Sequence, residues 1–126
     1  TMSVTNLDNI QKSTGQVGAD KMILAISQLL RDQLRWADLV GRMDSGDFIF
    51  VLPETDQTAA IALANKIAGK FSGLNIPIDD QQSNKPEACF GVASWSKGDD
   101  SAQLLARTAA AATAASQNGA FAVEAA

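Results

Sequence analysis

Histidine is absent from this chain, which removes the commonest general base, the commonest metal ligand and every histidine-dependent triad. Any chemistry here runs on carboxylates. Cysteine occurs once, as Cys89, so no internal disulfide can form. Flanked by Ala88 and Phe90, it reads as a small buried strand residue rather than a nucleophile. No apolar run approaches the roughly 18 residues needed to span a bilayer, and nothing resembles a signal peptide. A soluble domain without membrane contact is expected. Positive charge is not gathered either: the ten Lys and Arg are scattered, and the net charge is −4. The basic stripe of a protein that tracks a nucleic-acid backbone is therefore missing. A small ligand or a protein partner is expected instead.

What is present is enough for one domain. At 126 residues and 46% hydrophobic content, the chain can bury a core without disulfide or metal staples. Residues 2–6 alternate β-branched and small polar side chains and predict a strand. Gly15 and Gly18 punctuate the stretch before Asp20, a residue that suits a helix start as a cap and as a partner of the helix dipole. From Met22 to Leu34 a 3.6-residue apolar stripe predicts a helix of about four turns. Leu39 to Met43 and Asp47 to Leu52 are apolar runs joined by Asp44-Ser45-Gly46, a turn chemistry that predicts a β-hairpin. The second run lacks polar alternation and is expected to be central and covered on both faces. Thr55 or Asp56 caps a second helix with Ala60, Leu63, Ala64, Ile67 and Phe71 on its buried stripe. Leu74 to Pro86 is polar, holds two of the three prolines and predicts a loop or weak edge strand. Ala88 to Trp95 returns to strand character, and Asp100 or Ser101 caps an alanine-rich helix ending near Asn118-Gly119. Alanine lets such a helix lie close to a sheet. Phe121 to Val123 adds a last strand. The order predicts an α+β class, one sheet with helices packed on it.

Within this frame the run Arg42-Met43-Asp44-Ser45-Gly46-Asp47-Phe48, followed by an apolar strand and Pro53-x-Thr55, resembles the signature hairpin of GGDEF domains. Gly15-Gln16-Val17-Gly18-Ala19-Asp20 is similar to the family's Gly-His-x-x-Gly-Asp, and Cys89-Phe90-Gly91 to its Ser-Ile-Gly strand. The resemblance runs over nearly the whole chain in order and spacing. It implies a central, mainly antiparallel sheet flanked by helices, as in the palm of nucleotidyl cyclases. It also implies a single domain over residues 1–126, a fragment of a larger cytoplasmic or membrane-anchored signalling protein.

The family joins two GTP molecules into cyclic di-GMP with carboxylate-held divalent metal, and its functional positions can be followed residue by residue. The two metal positions of the first strand fall on Ser3 and Thr5, neither a charged ligand. The hairpin's two glycines have become Asp44 and Ser45, its acidic third residue Gly46, and its glutamate Asp47. The phosphate-holding basic pair falls on Ser116 and Ala120. The guanine-reading positions fall on Gln11 and Asp20. The resemblance thus implies a degenerate domain, not an enzyme, with no metal or other cofactor. Arg35-Trp36-Ala37-Asp38 resembles the family's inhibitory Arg-x-x-Asp product site, where Arg meets guanine and phosphate and Asp meets the guanine amino edge; Lys66 matches a basic position that completes that site. Paired guanidinium donors and a carboxylate acceptor suit those contacts. Two readings stay open for Arg35 and Asp38: a cyclic di-GMP site, or a local ion pair closing the first helix, worth at most about 1 kcal/mol. Trp36 is expected to cover core from solvent, with stacking on guanine as the alternative. The functions implied are a regulatory module beside a domain such as EAL or a sensor, a nucleotide-independent interaction module that could homodimerise, or a residual GTP-binding cyclase.

Overall fold

The computed structural model describes residues 1–43, 47–77 and 83–126; the expected turn at Asp44, Ser45 and Gly46 lies outside the described residues. Strand β1 (Met2–Val4) leads into helix α1 (Leu7–Gln33), then β2 (Leu39–Arg42), β3 (Phe48–Val51), α2 (Gln57–Ser72), β4 (Ile76–Pro77), β5 (Ser83–Asn84), β6 (Ala88–Val92), α3 (Ser101–Ser116) and β7 (Val123–Ala125). The main sheet has the order β2-β3-β1-β6-β7. All its pairings are antiparallel except β6 with β7. The α+β class follows as the sequence predicts.

Register decides which helix covers which face. Met2 stands opposite both Phe48 and Phe90, and Val4 opposite Ala88. These residues share one face and join Ile10, Met22, Ile26 and Leu30 of α1 and Ala64, Ile67, Ala68 and Phe71 of α2 in one hydrophobic core. The alternate face carries Cys89 and Gly91, where α3 packs through buried Ala111, Ala112 and Ala115. Contact there is so close that a Cβ on Gly91 would overlap the Thr108 carbonyl and the Ala112 amide. The alanine stripe is what permits it. Cys89 is buried, as expected.

Several boundaries differ from the sequence expectation. The first helix begins at Leu7, well before Asp20, and breaks only at Gly15, whose φ of 73° and ψ of −170° are non-helical. One glycine at positive φ divides the segment into two helices that meet at a kink, the second opening just after Gly15. The first strand stops at Val4 because Asn6 is used otherwise: its side chain donates to Lys85 O at 2.8 Å and accepts from Glu87 N at 2.9 Å. Strand β3 is interior but not central, and Val51 is 51% exposed, since α3 lies over β6 rather than over β3. The weak segment after α2 pairs β4 with β5 as a separate two-stranded sheet, with residues 78–82 outside the described residues. The last strand starts at Val123, because positive φ at Gly119 and Phe121 spends that stretch on reversing the chain.

The N-caps of α2 and α3 fall where the sequence places them. Asp56 accepts from the Ala59 N–H at 2.7 Å, leaving Thr55 free of that role. Asp100 and Gln103 form a reciprocal capping box at the start of α3.

Candidate functional site

Two groups of residues compete for attention. The first is the end of the sheet where β1, the hairpin and the end of α3 hold the residues that the resemblance maps onto reaction positions. Ser3 pairs with Cys89 in the sheet, and the Met2–Phe48 register brings it beside Asp47. Thr5 is tied to the next strand, its hydroxyl donating to Glu87 O at 3.3 Å. The Ser116 hydroxyl donates back into its own helix, to Thr113 O at 2.6 Å, and Ala120 is exposed without a polar group. Among the described residues no three carboxylate or thiol side chains gather closely enough to share a metal ion. Ser3 and Thr5 offer neutral hydroxyls and Asp47, among the described residues, the one carboxylate beside them, a poor donor set for a divalent cation.

Gln11 and Asp20 are linked by a residue between them. Gln11 Nε2 donates to Gln16 Oε1 at 2.9 Å, and Gln16 Nε2 donates to Asp20 Oδ1 at 2.8 Å. Asp20 lies inside α1 and caps nothing, contrary to the expectation that it opens a helix. The reason is the early helix start at Leu7, which leaves Asp20 a full turn past the Gly15 break.

The second group surrounds the turn after α1. The Arg35 N–H donates to Asp38 Oδ2 at 2.8 Å while the Asp38 N–H donates to Arg35 O at 3.0 Å, a local closure that ends the helix and turns the chain toward β2. The Arg35 guanidinium reaches across to the segment after β3, donating to Thr55 Oγ1 at 2.6 Å and Pro53 O at 3.2 Å, and lies 3.5 Å from Asp38 Oδ1. Exposure is unequal: the Arg35 side chain is 61% exposed and that of Asp38 only 2%. The local ion pair forms here, beside a cavity. A cavity of about 300 Å³ opens among Gln33, Arg35, Asp38, Thr55, Ala59 and Leu63. That sits at the lower end of the roughly 300–1,000 Å³ of small-molecule sites and suits one planar base. Lys66 is exposed on α2 and does not line it. Trp36 is 98% exposed and covers no core, which corrects the expectation; the tight Arg35–Asp38 turn points it outward.

A larger cavity, about 770 Å³, adjoins the smaller one at Leu52, Thr55 and Leu63 and extends between residues 50–53 and 92–95, where β3 and β6 run on past the paired stretch of β1. Its lining is mostly apolar, and among the described residues it holds no buried side-chain polar atom lacking a partner. Chemistry favours the smaller cavity. Sequence reasoning singled out Arg35 and Asp38 but missed two neighbours, Gln33 and the Thr55 hydroxyl. The Pro53-x-Thr55 spacing was visible, yet nothing local says that it meets Arg35.

Sheet order, helix placement and the hairpin together define the palm-like α+β architecture of nucleotidyl cyclases. The family described as "Diguanylate cyclase, GGDEF domain" matches residues 1–121, and the chain belongs to that family. It is similar in fold to the active GGEEF domain of a diguanylate cyclase from Vibrio cholerae, at 25% identity and a TM-score of 0.89, covering 98% of this chain and 78% of that one. An EAL/GGDEF domain protein from M. capsulatus aligns at 23% identity and a TM-score of 0.84, covering 98% and 80%. The GGDEF domain of DgcB from Caulobacter crescentus, solved in complex with cyclic di-GMP, aligns at 15% identity and a TM-score of 0.84, covering 98% and 74%. Comparison with curated protein sequences returned no match.

Proposed function

We propose that this chain is a regulatory GGDEF domain that makes no cyclic di-GMP and instead binds it through Arg35 and Asp38. The observation that carries the binding half is the Arg35–Asp38 pair at the cavity wall: the Asp38 side chain is 2% exposed, one oxygen is held by the Arg35 N–H, and the other, Oδ1, lies 3.5 Å from the Arg35 guanidinium with no hydrogen-bond partner. A carboxylate suits guanine N–H groups once it turns to the cavity, while the exposed side of Arg35 is open to phosphate. The DgcB domain, which shares the fold, is solved with that ligand bound.

The loss of synthesis rests on charge. Phosphoryl transfer requires metal to neutralise the triphosphate and polarise the attacking hydroxyl. Ser3 and Thr5 supply no charge at the metal positions, and Ser116 and Ala120 none at the phosphate positions. In the sequence, Asp44 and Ser45 replace glycines that let the backbone approach a nucleotide, and Asp44 adds repulsion. Incubation with GTP and magnesium or manganese, followed by chromatography, is expected to give no cyclic di-GMP; product above a protein-free control would defeat the claim. In this reading the domain serves within a larger signalling protein, beside an EAL or sensor domain.

A second reading is favoured by one surface. Trp36, Leu39 and Val51 are 98%, 64% and 51% exposed, and Leu39 pairs with Val51 at the free β2 edge of the sheet. Exposed apolar edges mark interaction sites. A nucleotide-independent interaction or dimerisation module would use this edge and ignore cyclic di-GMP.

A further inference from the structure

The larger cavity, about 770 Å³, passes through the sheet rather than over it. Its walls come from α2 on one face, with Leu63, Ala64 and Ile67, and from α3 on the other, with Leu104, Leu105 and Thr108. Within the sheet it is bounded by residues 50–53 on one side and 92–95 on the other. Those two runs flank the line of β1, and both lose their shared neighbour at Thr1. Neighbouring strands lie about 4.8 Å apart, so the gap between β3 and β6 has the width of one strand.

Register fixes what this gap can take. Met2 stands opposite Phe48 and Phe90, so the four positions ahead of Thr1 fall opposite 50–53 and 92–95, the residues that bound the cavity. Hydrogen-bond parity agrees. The Met43 N–H donates to Asp47 O at 2.8 Å, so odd-numbered residues of β3 turn their backbone groups to β2, and the even-numbered Phe50 and Leu52 turn theirs to the gap. On β6, Phe90 and Val92 bond outward to Ala122 and Ala126, while Gly91 exchanges bonds with Thr1 at 2.8 and 2.9 Å, which leaves Ala93 facing the gap. Backbone donors and acceptors therefore line both long edges. On the rim, Val51, Trp95 and Leu105 are 51%, 64% and 39% exposed. A lining that is polar at two edges and apolar at both faces matches an extended peptide rather than a compact ligand.

We propose that this cavity is a strand slot whose occupant is an extended, mainly apolar segment joined to Thr1, carrying β1 onward between β3 and β6. The first and third residues ahead of Thr1 share the face of Met2 and lie against Leu63, Ala64 and Ile67 of α2, so they must be apolar to fill it. The second and fourth share the face of Thr1, whose hydroxyl already meets the Thr108 hydroxyl of α3 at 2.8 Å, and this more open side tolerates polar groups. Continuity selects a linked segment over a strand from a separate partner: the ladder on the β6 side already runs to Thr1, and a linked strand loses no free translation on entering. Leu52, Thr55 and Leu63 line both cavities, so an occupied slot also backs the segment to which Arg35 bonds.

The test adds four residues ahead of Thr1 in two extensions of equal composition. Thr-Val-Thr-Val places valine at the first and third positions ahead of Thr1, and Val-Thr-Val-Thr places it at the second and fourth. Relative to the parent chain, Thr-Val-Thr-Val is expected to lower the unfolding equilibrium constant, read in urea, by about tenfold. Val-Thr-Val-Thr is expected to lower it far less, because it buries two hydroxyls against the apolar α2 wall. Thr-Val-Thr-Val is also expected to slow amide hydrogen exchange at Phe50, Leu52 and Ala93 beyond any change at Ile49 and Val51, which already bond to β2. Equal behaviour of the two extensions, or no added protection at those three amides, overturns the proposal. Protection by the same peptide added free and acetylated, where the linked extension gives none, assigns the slot to a partner's strand and overturns it as well.

Discussion

The two regions onto which the resemblance maps the family's charged positions carry opposite chemistry. At the end of the sheet formed by β1, the hairpin and α3, the side chains are Ser3, Thr5, Ser116 and Ala120, and three of them spend their hydroxyl or backbone positions on the fold itself: Ser3 in the β1–β6 ladder, Thr5 on Glu87, Ser116 on Thr113. At the turn after α1, Arg35 and Asp38 form an ion pair, and Arg35 also bonds to Thr55. Under the proposed function, the difference teaches how a fold could keep a ligand pocket after giving up a reaction. Catalysis needs several charges from separate elements to coincide, so losing any of them ends it. A recognition pocket built from one turn and one neighbouring strand end is a smaller constellation.

The supports of the two regions differ as well, and substitutions can separate them. The reaction end stands on α3, pressed onto β6 at Gly91. Gly91→Ala would force the helix away from the sheet, and a loss of about 3 kcal/mol is expected in urea unfolding, at the upper end of overpacking costs; a loss below 1 kcal/mol would mean that this contact is looser than the backbone overlap indicates. The pocket stands on α2 through its cap. Asp56→Ala removes the bond to the Ala59 N–H and is expected to cost about 1 kcal/mol in the same measurement.

Much of this fold was legible from side-chain periodicity. The stripe from Met22 to Leu30, the apolar hairpin strands and the alanine helix each carry a repeating pattern, and each forms where that pattern lies. Leu7 to Thr14 carries none, being mostly polar with Ile10 as its one buried residue, so its helix was not foreseen. Arg35 and Asp38 could be picked out by spacing and family resemblance. Gln33 could not, because a single glutamine at a helix end signals nothing until the cavity beside it is seen. The meeting of Arg35 with Thr55, 20 residues later, is likewise set by tertiary packing. Trp36 was misjudged because size suggested burial, whereas the turn geometry decides its direction.

The smallest effect concerns pH. Asp99 accepts two bonds from Arg107, at 2.7 and 2.9 Å, and one from the Ser96 N–H at 2.7 Å. The Arg107 guanidinium, helped by Ser96, holds this carboxyl below the usual carboxylate range. A carboxyl whose folded value is depressed stabilises the fold at pH values above its unfolded value of about 3.9. That contribution is lost as pH falls through the lower folded value. Arg107→Leu is therefore expected to flatten the acid limb of stability against pH, measured by urea unfolding between about pH 5 and 2, over the carboxylate range. An unchanged limb would show that the Asp99–Arg107 bonds do not persist in solution. The contrast with Arg35 sharpens the comparison, since Arg35→Ala is expected to lower stability by at most about 1 kcal/mol.

That tolerance makes Arg35 the place to test the central claim. Calorimetric titration of cyclic di-GMP into the parent chain and into Arg35→Ala, at matched salt, reads the pocket with the fold intact. Micromolar binding by the parent that disappears in Arg35→Ala is the predicted result. Absence of binding in both, or equal binding in both, contradicts it and shifts the function to the exposed edge at Trp36, Leu39 and Val51.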